Sequence, residues 1–544
     1  MKAVKAFVLV AALAAAAGCG KSASTVTGPA PSSVSADALS ITTPAAKGDV
    51  TDPLVWAVYR ETNSLDPVKA FDYPENTVLF TMCEAVLRQQ ADGSIGSGLG
   101  EVSSPSPTTF VIKLKDGITF WDGSKLTAAD VVYSLERGRD AKVGGFYTQV
   151  FTRVKEIKAT GALEVTVTLT QPDYWFRSEL SGPAGVVVSK AYATSKGDKF
   201  GTVDGGTMCT GAFKLDSWKT GQGVTVVKND AYWDPALKAK VAKVTFKGYP
   251  DDAAATAAFL TGELDGSYPL QITTLDQLRN SDQVKVYRGP SGVSDALIVN
   301  SFAGTLGDVK VRKALSMAID RQGLIDQIYK GAAQLPKSLF NPGTWGYAPD
   351  VFAKGWDALP EPAVDLEAAK ALIKEAGAEG KTITLGTSAE LIGINTEAQA
   401  VQSAAQAIGL KANLESVSAA NYINFFIDPE ARKKVDAFFT GNYGDYADPA
   451  ALMSTLALKE GSQNYAQYIN PEAVKALEAA RAEPDDAKRA QHVVDAQKLV
   501  TADVAWIAMS APNTVLIMNK AITGAPASFQ YMFGPWLSSL GAAG

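Results

Sequence analysis

The sequence predicts a mixed α/β protein of more than one lobe, strand-rich before about residue 290 and helix-rich after it. Three observations carry this. Period-two alternation marks the first half, as in Phe110, Ile112 and Leu114 or Leu163, Val165, Val167 and Leu169. Capped segments with apolar residues three and four apart mark the second half, as in "DLEAAKALIKEAG" from Asp365 to Gly377. The chain, at 544 residues, is also too long for one hydrophobic core.

At the amino end, Lys2 and Lys5 precede an apolar run from Ala6 to Gly18. The run is too short to span a bilayer but suits a signal segment, so residues 1–18 are expected to be removed. Ala16-Ala17-Gly18-Cys19 resembles a bacterial lipobox, which implies cleavage before Cys19 and lipidation of its sulfur; the alternative is ordinary secretory cleavage near Ala17. Residues 19–48 are rich in Ser, Thr, Ala, Pro and Gly without apolar period, and read as a lipidated flexible tether.

Thr51 to Ala57 reads as a strand and "ETNSLDP", Glu61 to Pro67, as a loop. Phe110 to Leu114 reads as a strand, Asp116-Gly117 as a hairpin turn and Ile118 to Trp121 as its return. After a second turn at Asp122-Gly123, Thr127 and Asp130 stand in the capping-box spacing that satisfies free N–H groups at a helix start. Later, Asp320 and Asp365 are placed to cap helices, Gly331 and Gly377 to end them, and Asn470-Pro471 to open another.

Composition excludes several classes of function. The formal charge of −6 argues against a nucleic-acid partner. One histidine, His492, in a polar helical stretch, and two cysteines beyond Cys19 cannot make a usual zinc or nickel site. "GAEGKTITL", Gly377 to Leu385, is no phosphate loop: it ends a helix and starts a strand, the reverse of the order that aims N–H groups at phosphate. There is no G-x-S-x-G elbow and no H-E-x-x-H, and nothing marks a catalytic acid pair, so no catalytic residue, cofactor or metal is expected. One cluster stands out. "FFTGNYGDYADPAAL", Phe438 to Leu452, sets Asp445 and Asp448 among Tyr443 and Tyr446, a mixture that suits neither a solvated loop nor a core strand.

Six segments together resemble the family 5 extracellular solute-binding proteins of ABC importers, the peptide- and nickel-binding group. They are "NSLDP", "IKLKDGITFWDGSKLTAADVVYSLER", "TGAFKLDSWKTGQGVTVVKNDAYW", "DVKVRKALSMAIDRQGLIDQIYKG", "GTWGY" and "GDYADP", in the family's order. The resemblance implies a two-lobed periplasmic-binding-protein-like fold with a cleft between the lobes. Residues 49–292 and 513–544 would form lobe I, with 83–207 as an inserted subdomain, and 293–512 lobe II. It implies a monomeric, exported binder, held to the membrane only by its lipid, that delivers a small solute to a permease and ATPase pair. A peptide is the first expectation; an oligosaccharide or chelated metal, or an exported hydrolase of cell-wall fragments, are the alternatives.

The resemblance also suggests site residues. The aspartate of the "GDYADP" segment, Asp445, matches the family's anchor for a peptide's α-amino group, with Tyr443 and Tyr446 packing on the ligand or holding the loop and Asp448 fixing the turn. Relatives often carry Trp where this chain has Asn442, which points to a more polar or differently shaped solute. Glu61 and Asn63 would line the opposite wall, or else cap a turn. Cys83 and Cys209 fall where the chain would enter and leave the subdomain, and so would form a disulfide; the alternative is two separately buried thiols.

Overall fold

The computed structural model describes residues 39–249, 251–269 and 273–544. The segment expected to be a signal, Cys19 and the expected tether up to residue 38 lie outside them. Two sheets organise the chain as two lobes. The first has seven strands in the order Val284–Gly289, Thr514–Asn519, Gly266–Ser267, Leu54–Val58, Lys243–Gly248, Gly223–Lys228, Phe213–Lys219. Leu54–Val58 pairs in parallel with both neighbours, and antiparallel strands flank that centre. The second has six strands in the order Ala333–Gln334, Trp506–Pro512, Ser294–Val299, Ala437–Asn442, Thr382–Thr387, Lys411–Ser416. Only residues 290–293 and Asn513 separate strands of one sheet from strands of the other. The two crossings are tied together, because the Thr514 hydroxyl donates to the Pro290 carbonyl at 3.2 Å.

Between Cys83 and Cys209 the chain leaves the first sheet and builds a four-stranded antiparallel sheet of its own, in the order Gly100–Ser106, Thr109–Leu114, Glu164–Leu169, Val154–Gly161. Its core gathers Phe110, Ile112, Val165 and Val167, the inward residues of the alternating strands. Cys83 and Cys209 are joined by a disulfide, with Cα atoms 4.9 Å apart. The turn at Asp116-Gly117 does not form a hairpin. Ile118 to Trp121 makes no ladder; Thr109–Leu114 pairs instead with Gly100–Ser106 and Glu164–Leu169. Ile118 and Phe120 are buried as packing residues, and the backbone of that segment bonds locally, Phe120 N–H to Ser124 O and Leu126 N–H to Ile118 O.

Local caps start three of the helices, among them Pro471–Ala482, which carries Arg481. The Asp130 carboxylate accepts from both the N–H and the hydroxyl of Thr127 at the start of Ala128–Arg139. Asp365 accepts from Ala368 N–H before Leu366–Glu375, and Asn470 from Glu472 and Ala473 N–H before Pro471–Ala482. Each cap satisfies an N–H that the first helical turn leaves free.

Residues 40–48, whose composition reads as tether, are part of the fold. Thr42 bridges Pro526 and Gly48 bridges Ala542, and the buried Thr43 hydroxyl donates to Ala525 O at 2.8 Å. Main-chain bonds to the carboxyl-terminal segment hold this stretch, and these leave no apolar period in the sequence.

Candidate functional site

The strand Ala437–Asn442 runs through the middle of the second sheet, and the chain leaves its carboxyl end as the loop 443–448. Ligands in open α/β folds gather at such strand ends. The loop closes at Asp448, whose carboxylate accepts from Ala450 N–H at 2.8 Å and caps the helix Pro449–Ala457. Burial pushes the Asp448 carboxyl up to about 6, although the Ala450 N–H and nearby Arg489 favour its anion.

The loop abuts the other lobe. Gln89 Nε2 donates to Asp445 O at 2.6 Å, and the Tyr443 hydroxyl donates to Phe71 O at 2.9 Å. The Tyr443 ring packs edge-on against Tyr73, with centroids 4.9 Å apart. Gly182 lies so close that a Cβ there would sit 3.1 Å from Asp445 O. These contacts engage the Asp445 carbonyl and the Tyr443 side chain and leave the Asp445 side chain facing a cavity of about 80 Å³.

Both lobes line this cavity. The second contributes Tyr443, Asp445, Tyr446 and Arg481. The inserted sheet's unit contributes Asp173, Trp175 and Glu179, from the segment leading into and through the helix Trp175–Glu179. Trp175 belongs to the second lobe's core cluster, with Leu477 and Ala480. Arg481 Nε donates to Asp173 Oδ2 at 2.9 Å, its guanidinium lies over the Trp175 ring at 5.2 Å, and its carbonyl accepts from Tyr174 N–H at 2.8 Å. Arg153 and Glu478 form a second ion pair between the same two parts.

The electrostatics are uneven. Arg481 engages Asp173, and burial still raises the Asp173 carboxyl against the pull of Arg481 and Arg153. Asp445 and Glu179 have no hydrogen bond or ion pair to their carboxylates among the described residues. Burial pushes the Asp445 carboxyl up to about 7. Glu179 is raised first by burial and next by the nearby charge of Asp445. A cavity between the lobes that holds two unneutralised acids favours a cation. Among the described residues no three His, Cys, Asp or Glu side chains are grouped to hold a metal ion.

The other residues expected at the site lie elsewhere. Asn442 is buried, with its amide bonded to Gln463 and its Oδ1 accepting from Tyr443 N–H at 2.9 Å, so it shapes the loop from behind. Glu61 is exposed and accepts from Gly221 N–H at 2.8 Å; Asn63 is exposed and its N–H donates to Glu75 Oε1 at 2.7 Å. Neither lines the cavity. Conversely, sequence reading passed over Asp173, Trp175, Glu179 and Arg481. The segment "QPDYWFRSEL", Gln171 to Leu180, carries the same signal that marks Phe438 to Leu452, acids set among adjacent aromatics.

The chain's likenesses agree with this geometry. Residues 99–464 match the family model described as bacterial extracellular solute-binding proteins, family 5 middle. The chain is 27% identical over 502 residues to a probable D,D-dipeptide-binding periplasmic protein, DdpA, of Escherichia coli, covering 90% of this chain and 93% of that protein. It is 27% identical over 490 residues to the glutathione-binding protein GsiB of Pectobacterium atrosepticum, covering 86% and 90%. Among solved structures, the Helicobacter pylori periplasmic binding protein DppA in complex with the peptide STSA superposes with a TM-score of 0.78 at 22% identity, over 91% of this chain and 99% of that one. Staphylococcus aureus NikA in complex with Ni(L-His)2 gives 0.73 at 21% identity, over 88% and 97%. With two lobes, a cavity between them and a family model matched across most of its length, the chain belongs to the bacterial extracellular solute-binding proteins of family 5, a binding protein and not an enzyme.

Proposed function

We propose that this protein captures a peptide between its lobes, seats the peptide's α-ammonium on Asp445 and hands it to the permease and ATPase of an ABC importer. The observation that carries this reading is the Asp445 carboxylate, which follows a central strand of the second sheet, faces the cavity and, among the described residues, has no cation beside it. A fixed anion in a closed site offsets the desolvation of an ammonium. The dipeptide- and glutathione-binding relatives and the peptide-bound structure support the peptide class. At about 80 Å³ the cavity is smaller than the ~300 Å³ at which ligand pockets usually begin. A peptide therefore enters with the lobes apart, and closure buries it. In this reading Cys19 carries a lipid that keeps the monomeric binder near its permease, which mass spectrometry of the mature amino terminus checks.

The test is a four-way calorimetric cycle with trialanine and N-acetyl-trialanine on the wild type and Asp445→Ala. Each single change is expected to cost about 3–5 kcal/mol, because each strands a buried charge. That is roughly a hundred- to several-thousandfold in dissociation constant. The two losses should not add, since both remove one interaction. Acetylated peptide binding as tightly as free peptide would refute the amino anchor.

A further inference from the structure

We propose that Gln89 is a positioning residue for the solute: its side chain grips the main chain of Asp445 when the lobes meet, and this grip sets how fast bound solute is released. The inference rests on the amino-anchor reading above and deepens it by naming what holds the anchor in place.

Gln89 ends the strand Leu87–Gln89, which pairs with Ile95–Ser97 in a short antiparallel hairpin. The hairpin is fastened to the first lobe and its inserted unit. Leu87 N–H donates to Leu180 O and Val86 N–H to Gly185 O, each at 3.0 Å, and the Ser528 hydroxyl donates to Ala91 O at 2.5 Å. Its turn is tied as well: Gln90 N–H donates to Ser94 O at 2.8 Å, and the N–H and hydroxyl of Ser94 both donate to Asp92 Oδ1. A braced arm of one lobe therefore reaches the other. At its tip, Gly93 lies so close to the second lobe that a Cβ there would sit 2.9 Å from Ala447 Cβ and 3.4 Å from Gly346 Cα.

Gln89 is only 3% exposed, yet its short bond leaves its own lobe. Nε2 donates to Asp445 O at 2.6 Å, against 3.5 Å to Ser181 O within the inserted unit, and Oε1 has no partner among the described residues. A glutamine placed for folding alone would use its amide inside its own unit. Among the described residues Asp445 O accepts from no other donor. The two groups part when the lobes open, and water then serves both. Without the amide, closure would bury the Asp445 carbonyl unsatisfied. Carbonyl and carboxylate branch from one Cα, so a bond at the first steadies the second. The ammonium's seat is thus completed by closure, and solute leaves only after the Gln89 bond breaks.

The test is stopped-flow binding of trialanine to the full mature chain at pH 7, read by tryptophan fluorescence, since Trp175 lines the cavity. The proteins are the wild type, Gln89→Met, which keeps the length and removes the donor, and Gln89→Ala. Dissociation from Gln89→Met is expected to quicken by roughly five- to a hundredfold, the effect of one buried unsatisfied carbonyl, while association stays within about twofold. A residue that only fills space would lose nothing to Met, and damage to the fold would appear in the association rate. If dissociation stays within about twofold of wild type, or if association slows as much as dissociation quickens, the inference is overturned and the amino anchor stands. If trialanine does not bind the wild type, the proposed function falls and takes this inference with it. Should Gln89→Met fail to fold, Gln89→Ala decides on the same terms.

Discussion

Replacing Arg481 by Gln is expected to hold the lobes apart. Arg481 bonds the Asp173 carboxylate at 2.9 Å, and Asp173 is only 2% exposed. The two residues come from different lobes, so their contact exists only when the lobes are together. Without Arg481, closure buries a carboxylate whose main remaining cation is Arg153. Breaking a buried pair from one side costs about 3–5 kcal/mol. The carboxyl can instead take a proton, which sets a ceiling. From the ordinary value of 3.8, protonation at pH 7 costs about 4 kcal/mol at 1.36 kcal/mol for each pH unit. The penalty on closure is therefore about 3–4 kcal/mol. Because the solute is held in the closed form, it appears in the dissociation constant as a loss of roughly 150- to 1,000-fold. Calorimetry with trialanine reads the loss, and small-angle scattering reads a larger radius of gyration. Two internal checks follow. The loss relative to wild type should shrink as pH falls and Asp173 is protonated more easily. Asp173→Asn added to Arg481→Gln should bind better than Arg481→Gln alone, because no charge is then stranded. A single variant within threefold of wild type, or a double variant no better than the single, would refute the reasoning.

Affinity for trialanine should peak between about pH 7 and 8. Below that range Asp445, pushed up to about 7, must lose a proton to hold the ammonium, so affinity falls by up to about tenfold per pH unit. Above it the peptide's own amine, near 7.7–8.0, loses its charge; affinity that rises steadily on acidification would contradict this. Changing Cys83 and Cys209 together to Ser should lower stability by up to about 5 kcal/mol, the loop-closure value for a separation of 126 residues, as read by chemical denaturation. If both cysteines of the native sequence are alkylated in non-reduced, denatured protein, the bond does not form. Gly182→Ala places a Cβ 3.1 Å from Asp445 O and 3.3 Å from its Cβ, so binding should weaken by about 1 kcal/mol while the melting temperature stays close to wild type. Calorimetry and circular dichroism separate the two effects.

What the sequence disclosed was mostly local. The Thr127–Asp130 capping box, the Asp365 and Asn470 caps and the strand Glu164–Leu169 all follow from spacings within a few residues. The family and the two-lobed fold were legible through segment resemblance, and the matched model and the superposed structures show both. What stayed hidden was long-range. Ile118 to Trp121 has the composition of a return strand, but the partners of Thr109–Leu114 are the preceding strand Gly100–Ser106 and a strand some fifty residues further on. The cavity's second wall, Asp173 to Glu179, meets Asp445 only because the inserted sheet packs against the other lobe. Glu61 and Asn63 are polar loop residues like many ligand contacts, and their neighbours Gly221 and Glu75 engage them instead.

The disulfide gives the molecule a seam. The Cα atoms of Cys83 and Cys209 are 4.9 Å apart, against 3.8 Å for adjacent residues in any chain. The inserted sheet and its cavity wall therefore hang from a neck about as wide as one peptide unit. A bridge of two or three residues across that neck would remove Asp173, Trp175 and Glu179 together and cut out no strand of the seven-stranded sheet. In architectural terms the wall is a cassette. On the reading proposed above, exchanging it would change the solute preference while the amino-group anchor stayed in the frame.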